Sequence, residues 1–113
     1  MSDTCLFCRI VRGEIPATII AENAQAIAFR DIDPKSPVHV LVVPRRHVAS
    51  LADATDGDEL GELLLLAAQV ARDENIESTG YRCVINTGAD GAQTVHHLHV
   101  HVLGGRQMGW PPG

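Results

Sequence analysis

Apolar and polar residues along this chain recur with two periods, about 3.6 residues and two, and the switches between them mark out the elements. Residues 5–12 place Leu6, Phe7, Ile10 and Val11 on a short amphipathic helix that Gly13 would end. After Pro16, residues 17–21 predict a strand, and residues 25–31 a second one with Ile27 and Phe29 on one face. The stretch Asp31-Ile-Asp-Pro-Lys-Ser-Pro37 is rich in turn formers. Residues 38–43 are apolar except for His39, the pattern of a central strand covered on both faces. One long helix is expected over about residues 58–75. Its apolar positions Leu60, Leu63, Leu64, Ala67, Val70 and Ala71 follow helical spacing, and acidic residues occupy its start. Residues 80–86 predict a strand, residues 87–93 a Gly-rich loop and residues 94–103 a last strand. Short connections between successive strands predict an α+β fold. It is an antiparallel five-stranded meander sheet with the long helix on one face, in a single domain spanning residues 1–113.

Composition narrows the function classes. A chain of 113 residues with 45% apolar content fills one core and has no room for a second domain. A domain this small buries a limited share of its surface, which makes dimerisation a natural way to bury more. The net charge of -5 and pI near 5.6 argue against an open nucleic-acid-binding face, though not against a small anionic ligand. The most apolar stretch, residues 60–71, contains Glu62 and Gln69 and is too short to cross a bilayer. The first residues lack a basic start and an apolar run. Three cysteines, Cys5, Cys8 and Cys83, make an odd count that suits reduced thiols, so a cytoplasmic protein is expected. Cys83, inside a strand, is expected in the core.

Four of the six histidines fall within residues 96–101. On an extended chain His97, His99 and His101 share one face, while His96, Leu98, Val100 and Val102 take the other. His96 can equally serve as a packing residue. Residues two apart on a strand lie roughly 7 Å apart and those four apart roughly 13 Å, so one metal ion could take two neighbouring rings at best. A row of imidazoles suits divided roles along an extended substrate. A neutral ring is a nucleophile near neutral pH, and a protonated one donates to an anion or a leaving group. Both properties suit attack on phosphorus.

The segment Gln93-Thr-Val-His-His-Leu-His-Val-His-Val-Leu103 resembles the signature of the histidine triad (HIT) family, alternating histidine and apolar residues. The tail Gly104-Gly-Arg-Gln-Met-Gly-Trp-Pro-Pro-Gly113 is similar to the carboxyl terminus of its histidine triad nucleotide-binding (Hint) branch. Gly13-Glu-Ile-Pro16, Ala28-Phe-Arg-Asp-Ile32 and residues 34–47 match as well, so the likeness covers nearly the whole chain.

That resemblance implies a purine nucleotide-binding hydrolase or transferase. It would cleave adenosine 5'-phosphoramidate-type substrates to AMP through a covalent nucleotidyl-histidine, without an organic cofactor and as a homodimer. It makes His99 the nucleophile, with its second nitrogen donating to a backbone carbonyl near His97. His101 would bind phosphoryl oxygens and help protonate the leaving group, and His39 matches the family's fourth histidine. Phe7, Ile10, Phe29 and Ile32 match the base pocket, and Asp31 the carboxylate that accepts the ribose hydroxyls. Asn86 and Thr94 match positions near phosphate and ribose, and the loop of residues 87–93, with Ala92 and Gln93, would aim backbone N–H groups at a phosphate. Trp110 would approach the partner's site. The sequence departs from the family's common pattern in His96 for Tyr, Ala92 for Gly and Thr94 for Ser. Cys5, Cys8, His47 and His97 match the four ligands of a structural zinc in Cys-bearing members; the Cys-x-x-Cys pair alone would equally read as two buried thiols.

Three other functions fit parts of the sequence. One is a dinucleoside polyphosphate hydrolase on the same fold, disfavoured by the Gly104-Gly-Arg tail. Another is a hydrolase whose His-x-His pair holds catalytic zinc. The third is a nucleotide-sensing module without turnover.

Overall fold

The computed structural model describes residues 4–113. Helix α1 (Leu6–Val11) leads into strands β1 (Ile19–Glu22), β2 (Ala26–Arg30) and β3 (Val38–Pro44). A short 3-10 turn (Leu51–Asp53) precedes helix α2 (Gly57–Asp73), and β4 (Tyr81–Val84) and β5 (Val100–Gly104) complete an antiparallel sheet in the order β1-β2-β3-β5-β4. The meander expectation holds through β3 and then fails. The chain crosses the sheet as α2, lays β4 on the far edge, and returns with β5 into the gap beside β3.

Alternation along the strands gives the sheet two apolar faces. Ala26, Ala28, Val40, Val42, Val100 and Val102 pack under α2 against Leu63, Leu66, Ala67, Val70 and Ala71. Ile27, Phe29, Leu41 and Val43 point the other way and pack with Phe7 and Ile10 of α1. The central strand β3 is therefore covered on both sides, as its apolar run predicts. Asp56 caps α2, accepting the N–H groups of Asp58 and Glu59 at 3.0 and 3.2 Å.

Three expectations need correction here. Leu64 is 51% exposed and Leu66 takes the core position, because the run of four leucines is wider than one helix stripe and packing alone sets its phase. Cys83 is exposed, not core: it sits on edge strand β4, and α2 lies over β1, β2, β3 and β5. The last strand begins only at Val100. The ladder pairs Val42 with Val100, and two residues further along β3 stands Pro44, which has no N–H to give. Leu98 N–H turns instead to the Val48 carbonyl, and residues 94–99 run as irregular chain.

Leu66 is 1% exposed, and we expect Leu66→Ala to cost about 2–5 kcal/mol in urea unfolding. Gly61, inside α2, has open space where a Cβ would go. Gly61→Ala is expected to add about 0.5–1 kcal/mol by the same measurement.

Candidate active site

The histidine segment keeps its alternation although its first half leaves the sheet. Leu98, Val100 and Val102 face α2, while the rings of His97 and His99 meet Phe7 on the opposite side, with centroids at 6.0 and 5.2 Å. His101, paired with Leu41 on β3, continues that side, its ring 4.9 Å from that of His99.

Hydrogen bonds to the backbone decide which nitrogen of each ring carries its proton. A carbonyl only accepts, so His99 Nδ1 donates to the His97 carbonyl at 2.7 Å. The neutral ring then holds a bare lone pair on Nε2. Every buried side-chain nitrogen or oxygen among the described residues has a partner, so the unpartnered Nε2 lies in the 5% of His99 that remains exposed.

A second chain of bonds fixes the neighbouring ring. The Lys35 N–H donates to His39 Nδ1 at 2.9 Å, which puts the His39 proton on Nε2. From there it is donated to His101 Nδ1 at 2.9 Å, leaving His101 with an N–H at Nε2 for a ligand. Asp31 Oδ2 stands 3.4 Å from His39 Nε2. Burial pushes the His39 pKa down, opposed by the Asp31 carboxylate, and pushes His101 down to about 4, helped by its neighbours His99 and His39. Asp31, His39 and His101 bring donor atoms within 4.8 Å of one another, but metal on His39 Nε2 would strip that ring of its only proton while Lys35 N–H occupies the other nitrogen. The hydrogen-bonded chain is Lys35 N–H, His39 and His101, with the Asp31 carboxylate beside its middle ring.

His97 leaves the row that an extended segment would form. It is fully buried, donates from Nε2 to the Pro44 carbonyl at 2.9 Å, and turns Nδ1 to Cys5 Sγ at 3.3 Å and Cys8 Sγ at 3.5 Å. His47 Nδ1 lies 3.2 Å from Cys8 Sγ, and all four donor atoms fall within 4.8 Å of one another. Tetrahedral zinc with bonds of about 2.0 Å to nitrogen and about 2.3 Å to sulfur holds its donors about 3.3–3.8 Å apart, so this set fits the ion. Burial pushes His97 down to about 4, which keeps its ring neutral and able to ligate.

Beside His99 lies a cleft of about 220 Å³ lined by Phe7, Ile10, Phe29, Asp31 and Ile32 among others. These five are residues the resemblance implies. Ile32 is 99% exposed, a lip on the opening. Leu6, Ile15, Pro16, Ala17, Arg30, Leu41 and Val95 complete the lining. None of these follows from the sequence pattern alone: Leu41 depends on the register that pairs it with Phe29, and the others on how α1 docks.

The Gly-rich loop differs from its expectation. Ala92 N–H bonds Ala89, Gln93 N–H bonds the Gly88 carbonyl, and Gly88 N–H bonds the Gln93 side chain, so these three donors serve the loop itself. Gln93 Nε2 also ties down Ala49 and Val95 at 2.8 and 3.0 Å. Its side chain braces the loop. Ala92 sits at φ 60, the left-handed region glycine favours. Thr94 and His96 are exposed and border a separate hollow with Cys5 and His47. Asn86 is half-buried just past β4. Trp110 is 83% exposed, with the Arg82 guanidinium 5.9 Å from its ring, outside the cleft lining of its own chain.

The HIT domain matches residues 12–108. Over the full length of both chains, 50% of residues are identical to an uncharacterized HIT-like protein of Synechococcus elongatus. The fold superposes on a HIT family hydrolase from Legionella pneumophila Philadelphia 1 with a TM-score of 0.94, at 46% identity, covering 97% of this chain and 100% of that one. A histidine triad nucleotide-binding protein from Candida albicans superposes at 0.84 with 32% identity, covering 96% and 83%.

The buried neutral histidines link stability to pH. An unfolded histidine titrates near 6.5 and folded His101 at about 4. Between those values the unfolded chain binds more protons, so acid favours unfolding there, and the contribution is fully present above about pH 6.5. We expect the urea midpoint to drop between about pH 7.5 and about pH 5, and to drop less in His101→Gln. Equal drops would contradict the assignment.

Proposed function

This chain belongs to the HIT domain family, and from that premise we propose that it is a Hint-like hydrolase. It cleaves adenosine 5'-phosphoramidate-type substrates to AMP through a nucleotidyl-His99 intermediate. The observation that carries the reading is the His99 ring, with Nδ1–H held by the His97 carbonyl, Nε2 left bare, and the ring itself against Phe7, which lines the cleft. The purine enters between Phe7, Ile10, Phe29 and Ile32, and Asp31 receives the ribose hydroxyls. Nε2 then forms a bond to phosphorus as the phosphorus–nitrogen bond breaks. His101 Nε2–H donates to a phosphoryl oxygen or the departing nitrogen, and water then releases AMP from His99. Phosphate contacts are assigned to Thr94 and Asn86, because the Ala92 and Gln93 N–H groups are taken up within their own loop.

The metal in this reading is zinc, held by Cys5, Cys8, His47 and His97. It supplies a structural clamp between α1 and the irregular segment before β5. A homodimer is supported by the surface left open: Leu64 and Leu65 are 51% and 64% exposed on α2, and Tyr81 and Cys83 are uncovered on edge strand β4. A partner docked there would bring Trp110 toward the other site.

His99→Ala is expected to lower phosphoramidate turnover at least about a thousandfold while AMP affinity changes little. Near-normal turnover would reject the covalent step, and faster cleavage of a diadenosine polyphosphate would move the chain to the neighbouring branch. Elemental analysis should find about one zinc per chain, lost together with stability in Cys8→Ser. Sedimentation should find a dimer that Leu65→Glu converts to monomer.

A further inference from the structure

We propose that Cys5 and Cys8 are a reversible oxidation site, where a hydroperoxide joins the two sulfurs as a disulfide and thereby frees the carbonyl that orients His99. The Cys-x-x-Cys pair does more than border a metal site, because both sulfurs meet the ring of His97, the residue whose carbonyl takes the His99 Nδ1–H.

Access and proximity support the chemistry. A hollow of about 400 Å³, bounded by Cys5, His47, Thr94, Val95 and His96 among others, opens beside the cluster. Cys8 is fully buried behind it, while Cys5 is partly exposed. A small oxidant therefore meets Cys5 first, and Cys8 is placed to resolve. The Cys8 N–H donates to Cys5 Sγ at 3.3 Å, and the two sulfurs lie within 4.8 Å. Side-chain rotation brings such a pair to the bonding distance of about 2.05 Å. Cys5 sulfur attacks the peroxide, forming a sulfenic acid and expelling hydroxide. Cys8 sulfur then displaces hydroxide from Cys5. Two thiols and one hydrogen peroxide give one disulfide and two waters.

The consequence follows from what the sulfurs hold. Cys5 and Cys8 are the partners of His97 Nδ1 at 3.3 and 3.5 Å, and Cys8 is the partner of His47 Nδ1 at 3.2 Å. A disulfide abandons both rings, and a bound metal ion loses two of its four donors. His97 then keeps only its Pro44 bond, and the carbonyl that accepts His99 Nδ1–H at 2.7 Å is no longer clamped. The effect on turnover rests on the hydrolase reading above; the oxidation itself does not.

The test uses the full-length, zinc-loaded chain carrying Cys83→Ser, so that the exposed edge-strand thiol does not compete. Hydrogen peroxide is added while intact mass, zinc release to a metallochromic indicator and the ring nitrogen signals of His99 are followed. The expected result is loss of two hydrogens, mapped to Cys5 and Cys8 and reversed by dithiothreitol. Zinc release should keep pace with it, the fixed Nδ1–H signal of His99 should fade, and turnover should fall about tenfold. Thiols that stay reduced at doses oxidising Cys83 in the parent chain would overturn the proposal. So would a disulfide that leaves the His99 signals unchanged. A reduced chain that turns over no phosphoramidate would sink the hydrolase reading, while the mass and ring signals would still decide this one.

Discussion

The hydrogen bond of 2.7 Å from His99 Nδ1 to the His97 carbonyl ties the chemistry of the site to the place where a sheet stops. A neutral imidazole has one proton, and an acceptor at Nδ1 leaves the lone pair at Nε2. That acceptor is free for the purpose because β5 does not extend back to residue 97. Opposite that stretch β3 ends at Pro44, which offers a carbonyl and no N–H, and the carbonyl is taken by the His97 ring. The backbone that would have been a strand is thereby released to bend, bury His97 and turn its own carbonyl to His99.

The same device sets the neighbouring ring. Lys35 N–H can only donate, so His39 and then His101 are fixed in turn, two bonds of 2.9 Å each. Neither the Lys35 amide nor the His97 carbonyl titrates, so the proton positions are set by covalent structure. Burial adds to this by keeping His39, His97 and His101 neutral. The site thus presents a bare nitrogen next to an N–H, side by side, which is what attack on a phosphorus centre and support of its charged oxygens call for.

Much of this was legible in the residues, and the gaps have physical causes. Two-residue alternation put Ile27 and Phe29 on one face of their strand and the three triad histidines on one face of theirs, because a strand gives every second side chain to the same side. It could not say where pairing ends, since that depends on Pro44 lying across from residue 98 and not on anything within residues 94–99. Four consecutive leucines satisfy any helical phase, so Leu64 and Leu66 were distinguishable only once α2 had docked. Cys83 reads as buried in a one-dimensional pattern and is exposed because the crossover put its strand on the edge. Gly-rich composition suggested donors for an anion, but three of those N–H groups close the loop on itself. The Cys5, Cys8, His47 and His97 set, implied by resemblance, converges across 92 positions of chain, a distance that spacing arguments do not reach.

The central claim is that His99 Nε2 becomes bonded to phosphorus. Protein mixed with an adenosine phosphoramidate, quenched within the first turnover and digested for mass analysis, reads this directly. The account predicts an adenylyl group on the peptide carrying His99 and on that residue. Rapid AMP release with no such adduct at any quench time, or an adduct on another residue, would contradict it.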